Sequence, residues 1–254
     1  MRELAKSIRP IFRRGMRKLR RKIFPNSEYE FTIPPEITGD ELYEVIRSLA
    51  SKASIHTVLE IGSSTGEGST RAIDQGLREN PSQPTLFCLE LSPRRFRELE
   101  KRYRREPFVK CYNLTSVPLE RYPTEDDVIA FYRTRESKLN KFPLSEVLLW
   151  LRRDTEYLAR RAPTQKGIQL IKEANAIDKF GMVLIDGSEF TGPAELDELY
   201  GADYILLDDI GTFKNLTNRE RLAGDPSYEL LACNEDLRNG YAVFGRRARA
   251  ITDR

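Results

Sequence analysis

The sequence of 254 residues has one histidine, His56, and three cysteines, Cys88, Cys111 and Cys233. One imidazole cannot build a histidine metal cluster, and His56 reads as a residue leading into a strand. The cysteines are odd in number and lack Cys-x-x-Cys spacing, which speaks against a disulfide framework and a zinc site and for reduced thiols. No apolar run approaches the ~20 residues that a membrane-spanning helix needs, and no signal-peptide core is present. The expected location is therefore the cytoplasm. Repeats and low-complexity tracts are absent as well. What is there is 39% apolar and 32% charged, enough to bury one large α/β core.

The net charge of +3 hides an asymmetry. Residues 1–24 hold seven Arg and three Lys against Glu3, a net of +9, so the rest of the chain carries −6. Leu4, Ile8, Ile11, Phe12, Met16, Leu19, Ile23 and Phe24 recur among these cations at helical spacing, with Pro10 interrupting or beginning the helix. A basic amphipathic arm can lie on an anionic membrane surface, dock on its own body or stay solvated. The first use would put the protein at the inner face of a membrane. Nucleic acid is the least favoured partner, because no nucleic-acid module accompanies the arm. Residues 1–36 are thus read as arm and linker, and 37–254 as the folded domain.

That domain is organised around Val58-Leu59-Glu60-Ile61-Gly62-Ser63-Ser64-Thr65-Gly66-Glu67-Gly68. An apolar run ends in an acid, breaks into glycines and then opens a helix. Strand, glycine loop and helix in this order let backbone amides approach a ligand. A second strand, Thr85 to Glu90, ends in another acid, 28 residues after Gly62. An acid placed there can accept hydrogen bonds from both hydroxyls of a ribose.

Glu60-x-Gly62-x-x-x-Gly66-x-Gly68 followed by Glu90 resembles motifs I and II of the class I S-adenosylmethionine-dependent methyltransferases. The spacing is nearest the metal-dependent branch that holds catechol O-methyltransferase and the macrocin O-methyltransferase-like sugar enzymes. The likeness runs roughly from Leu42 to Arg247. It implies a mostly parallel, seven-stranded Rossmann-like sheet with helices on both faces. It also implies an S-adenosylmethionine site at Glu60, Gly62, Ser63, Gly66, Gly68 and Glu90. Asn113 and Ser116, after the third strand, would meet the adenine, and Asp186 the donor's methionine portion.

Further along, Thr38-Gly39-Asp40-Glu41 reads as a capping box before a helix striped by Leu42, Val45, Ile46 and Leu49. Ser92-Pro93 is a helix start. Residues 119–165 exceed an ordinary crossover between strands 3 and 4, and Ser145 would cap an amphipathic helix there. Tyr122, Tyr132, Phe142, Trp150 and Tyr157 are spread through this insertion, which suits either a lid or a homodimer surface. A helix is expected over 168–178 before the next strand.

Three acids, Asp186, Asp208 and Asp209, follow two apolar strands directly. Strand ends of an open α/β sheet are where ligands bind. Carboxylates gathered without cations raise one another's pKa, and a hard divalent ion with oxygen ligands resolves the repulsion. The resemblance supports Mg²⁺ at these positions. It also shows a departure, because the catechol enzymes' lysine base, three residues after the first Asp, is Glu189 here. The nearest lysine is Lys214. Glu189 and Lys214 are therefore the candidate bases, with Asp209 a third where it holds no metal. The expected activity is Mg²⁺-assisted O-methylation of a vicinal hydroxyl on a small molecule or saccharide. The alternatives are a metal-independent methyltransferase and a non-catalytic scaffold carrying the arm.

Overall fold

The structure, a computed structural model, describes residues 34–247. The basic arm, most of the linker and the last seven residues lie outside that range.

Seven strands form one sheet: β1 (Thr57–Ile61), β2 (Thr85–Leu89), β3 (Val109–Tyr112), β4 (Met182–Ile185), β5 (Tyr204–Asp208), β6 (Tyr228–Asn234) and β7 (Tyr241–Arg246). Their order is β3-β2-β1-β4-β5-β7-β6. Strands β1 to β5 pair in parallel, and β7 joins antiparallel to β5 and to β6. The mostly parallel seven-stranded Rossmann-like sheet expected from the motifs is present. The order in which strands are added reverses between the parallel neighbours β1 and β4, which opens the crevice where open α/β sheets place their ligands.

Buried strands alternate their side chains between the two faces. Leu59, Ile61, Phe87, Leu89, Val183, Ile185, Ile205 and Leu207 fill one core layer. Helices α6 (Gly167–Ala174), α7 (Gly192–Leu199) and α8 (Leu216–Ala223) pack on it through Ile168, Ile171, Leu196, Leu199 and Leu222. Val58, Leu86, Cys88, Met182, Leu184 and Leu206 face the other layer, under α1 (Glu41–Ala50), α2 (Ser69–Glu79) and α3 (Pro93–Tyr103). The insertion supplies α4 (Glu125–Thr134) and α5 (Leu144–Arg161) between β3 and β4. A third apolar cluster roots it in the loops after β4 and β5, where Phe213 packs 4.9 Å from Phe131 and 5.8 Å from Phe190 by ring centroid.

Local starts and stops are partly as expected. Ser92 caps α3 with Pro93 in its first turn. The cap of α1 is Asp40 rather than Thr38, since Gly39 turns the chain at φ +62° and the Asp40 carboxylate accepts from Tyr43 N at 2.9 Å. Ser145 lies inside α5, which starts after Pro143 without a side-chain cap. Helix α6 stops at Ala174, where the Asn175 side chain takes the Ile171 carbonyl and Ala176 adopts φ +51°.

Candidate active site

The crevice holds a cavity of about 540 Å³ lined by Gly62, Glu90, Leu114, Ser116, Asp186 and Glu189, among others. Gly62 follows β1 directly, and the positions just past β2 and β4 supply Glu90 and Asp186. Glu90 is 6% exposed. One of its oxygens accepts from Ser64 N at 2.9 Å and the other from Ser92 N at 2.7 Å. Both carboxylate oxygens are thereby held by backbone amides at the mouth of the crevice.

Not every expected donor-site residue reaches the cavity. Glu60 is fully buried beneath the glycine loop, accepting from the Ser69 and Thr70 hydroxyls at 2.6 Å each. It fixes the loop to the start of α2. Ser63, Gly66 and Gly68 also stand outside the cavity lining. Ser63 N bonds the Leu89 carbonyl, and Gly68 packs near Pro35. Asn113 donates its amide to the carbonyls of Glu90 and Leu91 at 2.8 and 2.9 Å, lacing β3 to β2. Ser116 does line the cavity, and its hydroxyl donates to the fully buried Glu195 at 2.5 Å. Glu195 lies inside a helix with no motif around it, so the sequence carried no signal for it.

Gly62 is needed for the β1–β4 joint itself. Its φ is +87°, and a Cβ there would stand 2.0 Å from the Asp186 carbonyl oxygen. Gly62→Ala is therefore expected to destabilise the fold by about 2–4 kcal/mol, through backbone strain and overpacking. Denaturant unfolding measures this, and an unchanged midpoint would contradict the assignment.

The insertion forms a wall of the cavity. Glu146, Trp150, Arg153, Asp154 and Tyr157 of α5 line it at helical spacing, and Tyr122 joins them. Ser188, two residues past Asp186, hydrogen-bonds Asp154 and so links the β4 loop to this helix.

The carboxylates at the ends of β4 and β5 do converge. Oxygens of Asp186, Asp208 and Asp209 lie within 4.8 Å of one another. Asn215 holds the two strand ends together, donating to the Ile185 carbonyl at 3.0 Å and the Asp208 carbonyl at 2.6 Å. Asp209 sits at φ +59°, a conformation that Asp tolerates better than most residues. Two cations stand in the cluster. Lys214 Nζ donates to Asp186 at 2.9 Å and to Asp209 at 2.6 Å, with its side chain 7% exposed. Arg238, from the β6–β7 loop, donates to Asp208 at 3.2 Å, and Asn239 donates to Asp209 at 3.0 Å.

Protonation follows from this arrangement. Burial opposes the Lys214 ammonium, but Asp186, Asp209 and Glu189 hold its pKa well above the usual lysine value. Burial raises Asp208, with Asp209 adding repulsion and Lys214 and Arg238 opposing. Burial likewise resists ionisation of Asp209, yet Lys214 wins and holds that carboxyl below its ordinary range. Glu189 is pushed up to about 7, chiefly by burial. Its carboxylate accepts from Lys214 N at 3.2 Å.

The expectation of Mg²⁺ rested on carboxylates gathered without a cation and on the resemblance to the metal-dependent enzymes. Mg²⁺ needs oxygens at about 2.0–2.1 Å in near-octahedral geometry. An ion bonded to Asp186 and Asp209 would stand where the Lys214 ammonium already bridges them. A divalent ion about 3 Å from that ammonium would be repelled by roughly 11 kcal/mol at an effective dielectric constant of about 20. The cluster as built fits one cation or the other, and the side chains are arranged around the ammonium. The residues present do not fit Mg²⁺ with Lys214 in this position.

No protein-family model matches the chain, and no curated protein does. Solved structures do. A candidate O-methyltransferase from Klebsiella pneumoniae superposes with a TM-score of 0.51 at 12% identity, covering 89% of each chain. The Podospora anserina methyltransferase PaMTH1, solved with S-adenosylhomocysteine, gives 0.50 at 12% identity over 88% of this chain and 87% of that one. A candidate caffeoyl-CoA O-methyltransferase from Staphylococcus aureus gives 0.50 at 12% identity, over 96% of this chain and all of that one. Together with the strand order and the strand-end crevice, these likenesses establish that the chain has the Rossmann-like fold of these methyltransferases.

Proposed function

We propose that the protein is an S-adenosylmethionine-dependent O-methyltransferase acting on a hydroxyl of a small molecule or saccharide. The observation that carries this reading is the single cavity lined by Glu90, Gly62, Asp186 and Glu189 across adjoining strand ends. It brings a diol-binding carboxylate and a carboxylate with a near-neutral pKa into one enclosure. Bound S-adenosylmethionine would supply an electrophilic methyl group on its sulfonium.

The chain's own residues do the rest. Glu90 holds the ribose, Leu114 and Ser116 border the adenine end, and Asp186 borders the methionine portion. Displacement at a sulfonium methyl calls for orientation and for help in ionising the acceptor. Glu189 takes the acceptor's proton. It lines the cavity, and a base is most effective with its pKa near the working pH. Lys214, held as an ammonium by three carboxylates, has no lone pair to offer and serves as a fixed positive charge instead. Trp150 and Tyr157 give the acceptor flat apolar surface beside the polar groups of Glu146 and Arg153. This combination suits a polar ring such as a saccharide. Two neighbouring oxygens were required only for chelation of a metal, so a single hydroxyl suffices.

Titration calorimetry tests the donor half of the reading. S-Adenosylmethionine should bind with one-to-one stoichiometry. Glu90→Ala should weaken it by about 1.5–3 kcal/mol, the range for hydrogen bonds to a charged group, or roughly 10- to 100-fold. Equal affinity in the folded variant would remove Glu90 from the donor site.

A further inference from the structure

We propose that Lys214 is the resident cation of the carboxylate cluster at the ends of β4 and β5. Its ammonium takes the place of a divalent ion, and the protein works without metal. The consequence for turnover rests on the methyltransferase reading, whereas the occupancy of the cluster does not.

Three features carry the proposal. The ammonium bridges Asp186 and Asp209 at 2.9 and 2.6 Å, occupying the space between one oxygen of each. Asp208, 3% exposed, is paired by Arg238, which is itself anchored to Asp40. The lysine's backbone is pinned as well as its head group. Lys214 N donates to Glu189 at 3.2 Å, and a Cβ on Gly192 would stand 1.8 Å from the Lys214 carbonyl oxygen. Asn215, next in sequence and fully buried, ties this turn to both strand ends. A side chain fixed from both ends, in a buried cluster, is built to stay. A dissociable ion would have to displace a covalently tethered charge that leaves no matching vacancy.

Mn²⁺ serves as the probe, read by electron paramagnetic resonance on the full chain, with thermal unfolding in Mg²⁺ as a second measurement. The wild type should leave the Mn²⁺ signal that of the free ion, and millimolar Mg²⁺ should not move its melting temperature. Lys214→Ala should bind one Mn²⁺ per chain and melt at higher temperature with either ion. Asp209→Asn added to that variant should abolish the binding. A Lys214→Ala chain that folds only when Mn²⁺ is supplied would support the proposal equally. Stoichiometric Mn²⁺ uptake by the wild type, lost on Asp208→Asn, would overturn it. So would a folded Lys214→Ala variant that ignores both ions. These readouts need no acceptor, so a protein that transfers no methyl group would still leave the occupancy of the cluster decided.

Discussion

Glu189→Gln is expected to lower turnover by about 10²–10⁴-fold, the usual contribution of a positioned general base. The variant should leave S-adenosylmethionine affinity nearly unchanged. Gln keeps the shape of the side chain and can still accept from Lys214 N, so the fold should be kept. What it loses is the capacity to take a proton. The pH dependence gives an independent check. Glu189 acts as a base only when ionised, and its pKa is pushed up to about 7, chiefly by burial. The rate for the wild type should therefore rise with pH through about 7 and then level. In Glu189→Gln that rising limb should vanish along with most of the rate. A variant with undiminished turnover and the same limb would assign the proton transfer elsewhere.

Lys214→Met should be the most destabilising substitution in the cluster. Removing one partner of a buried ion pair costs about 3–5 kcal/mol, because the remaining charge is left without compensation. Here two buried carboxylates, Asp186 and Asp209, lose their shared donor. Domains are commonly stable by only about 5–15 kcal/mol, so chemical denaturation should show a large fall in midpoint. The sign of its pH dependence is also fixed. Burial already pushes Asp186 up to about 8 with the ammonium beside it, and Asp209 is held low chiefly by Lys214. Without the ammonium, both carboxyl pKa values in the folded state therefore stand above those of the unfolded chain. A carboxyl raised in this way binds its proton more tightly when folded, so the fold is favoured at low pH and loses that support as pH rises through the folded pKa. The deficit of Lys214→Met relative to the wild type should accordingly be smaller in acid than at neutral pH. A deficit that grows toward acid would contradict the assigned pairing.

Much of the fold was readable from the chain because β1, β2, β4 and β5 are buried runs that end in glycine or an acid. The alternation of strand and helix does the rest. Roles within the site were less readable. Glu60 and Glu90 both close apolar strands in the sequence. Yet Glu60 points into the layer under α2, while Glu90, one residue past its strand, reaches the crevice. Period-two alternation separates the two only when strand ends are known to the residue. The contribution of α5 could be read as a lid or as an interface, and the structure places one of its faces on the cavity. Arg238 and Asn239 were invisible, since they reach Asp208 and Asp209 from 30 residues further along the chain, in the loop entering the neighbouring strand β7. Lys214 was visible as the nearest lysine. That its ammonium lies between Asp186 and Asp209 depends on the turn that Asn215 pins, which no spacing rule encodes.

The central claim is that this cavity moves a methyl group from a sulfonium to an oxygen without metal. It is tested most directly by incubating the protein, in excess chelator, with methyl-labelled S-adenosylmethionine and a panel of saccharide and phenolic hydroxyl acceptors. Mass spectrometry then reads the products. The account predicts a labelled methyl ether on at least one acceptor, formed one-for-one with S-adenosylhomocysteine. Label on nitrogen, turnover restored only by added Mg²⁺, or donor binding with no transfer to any hydroxyl would contradict it.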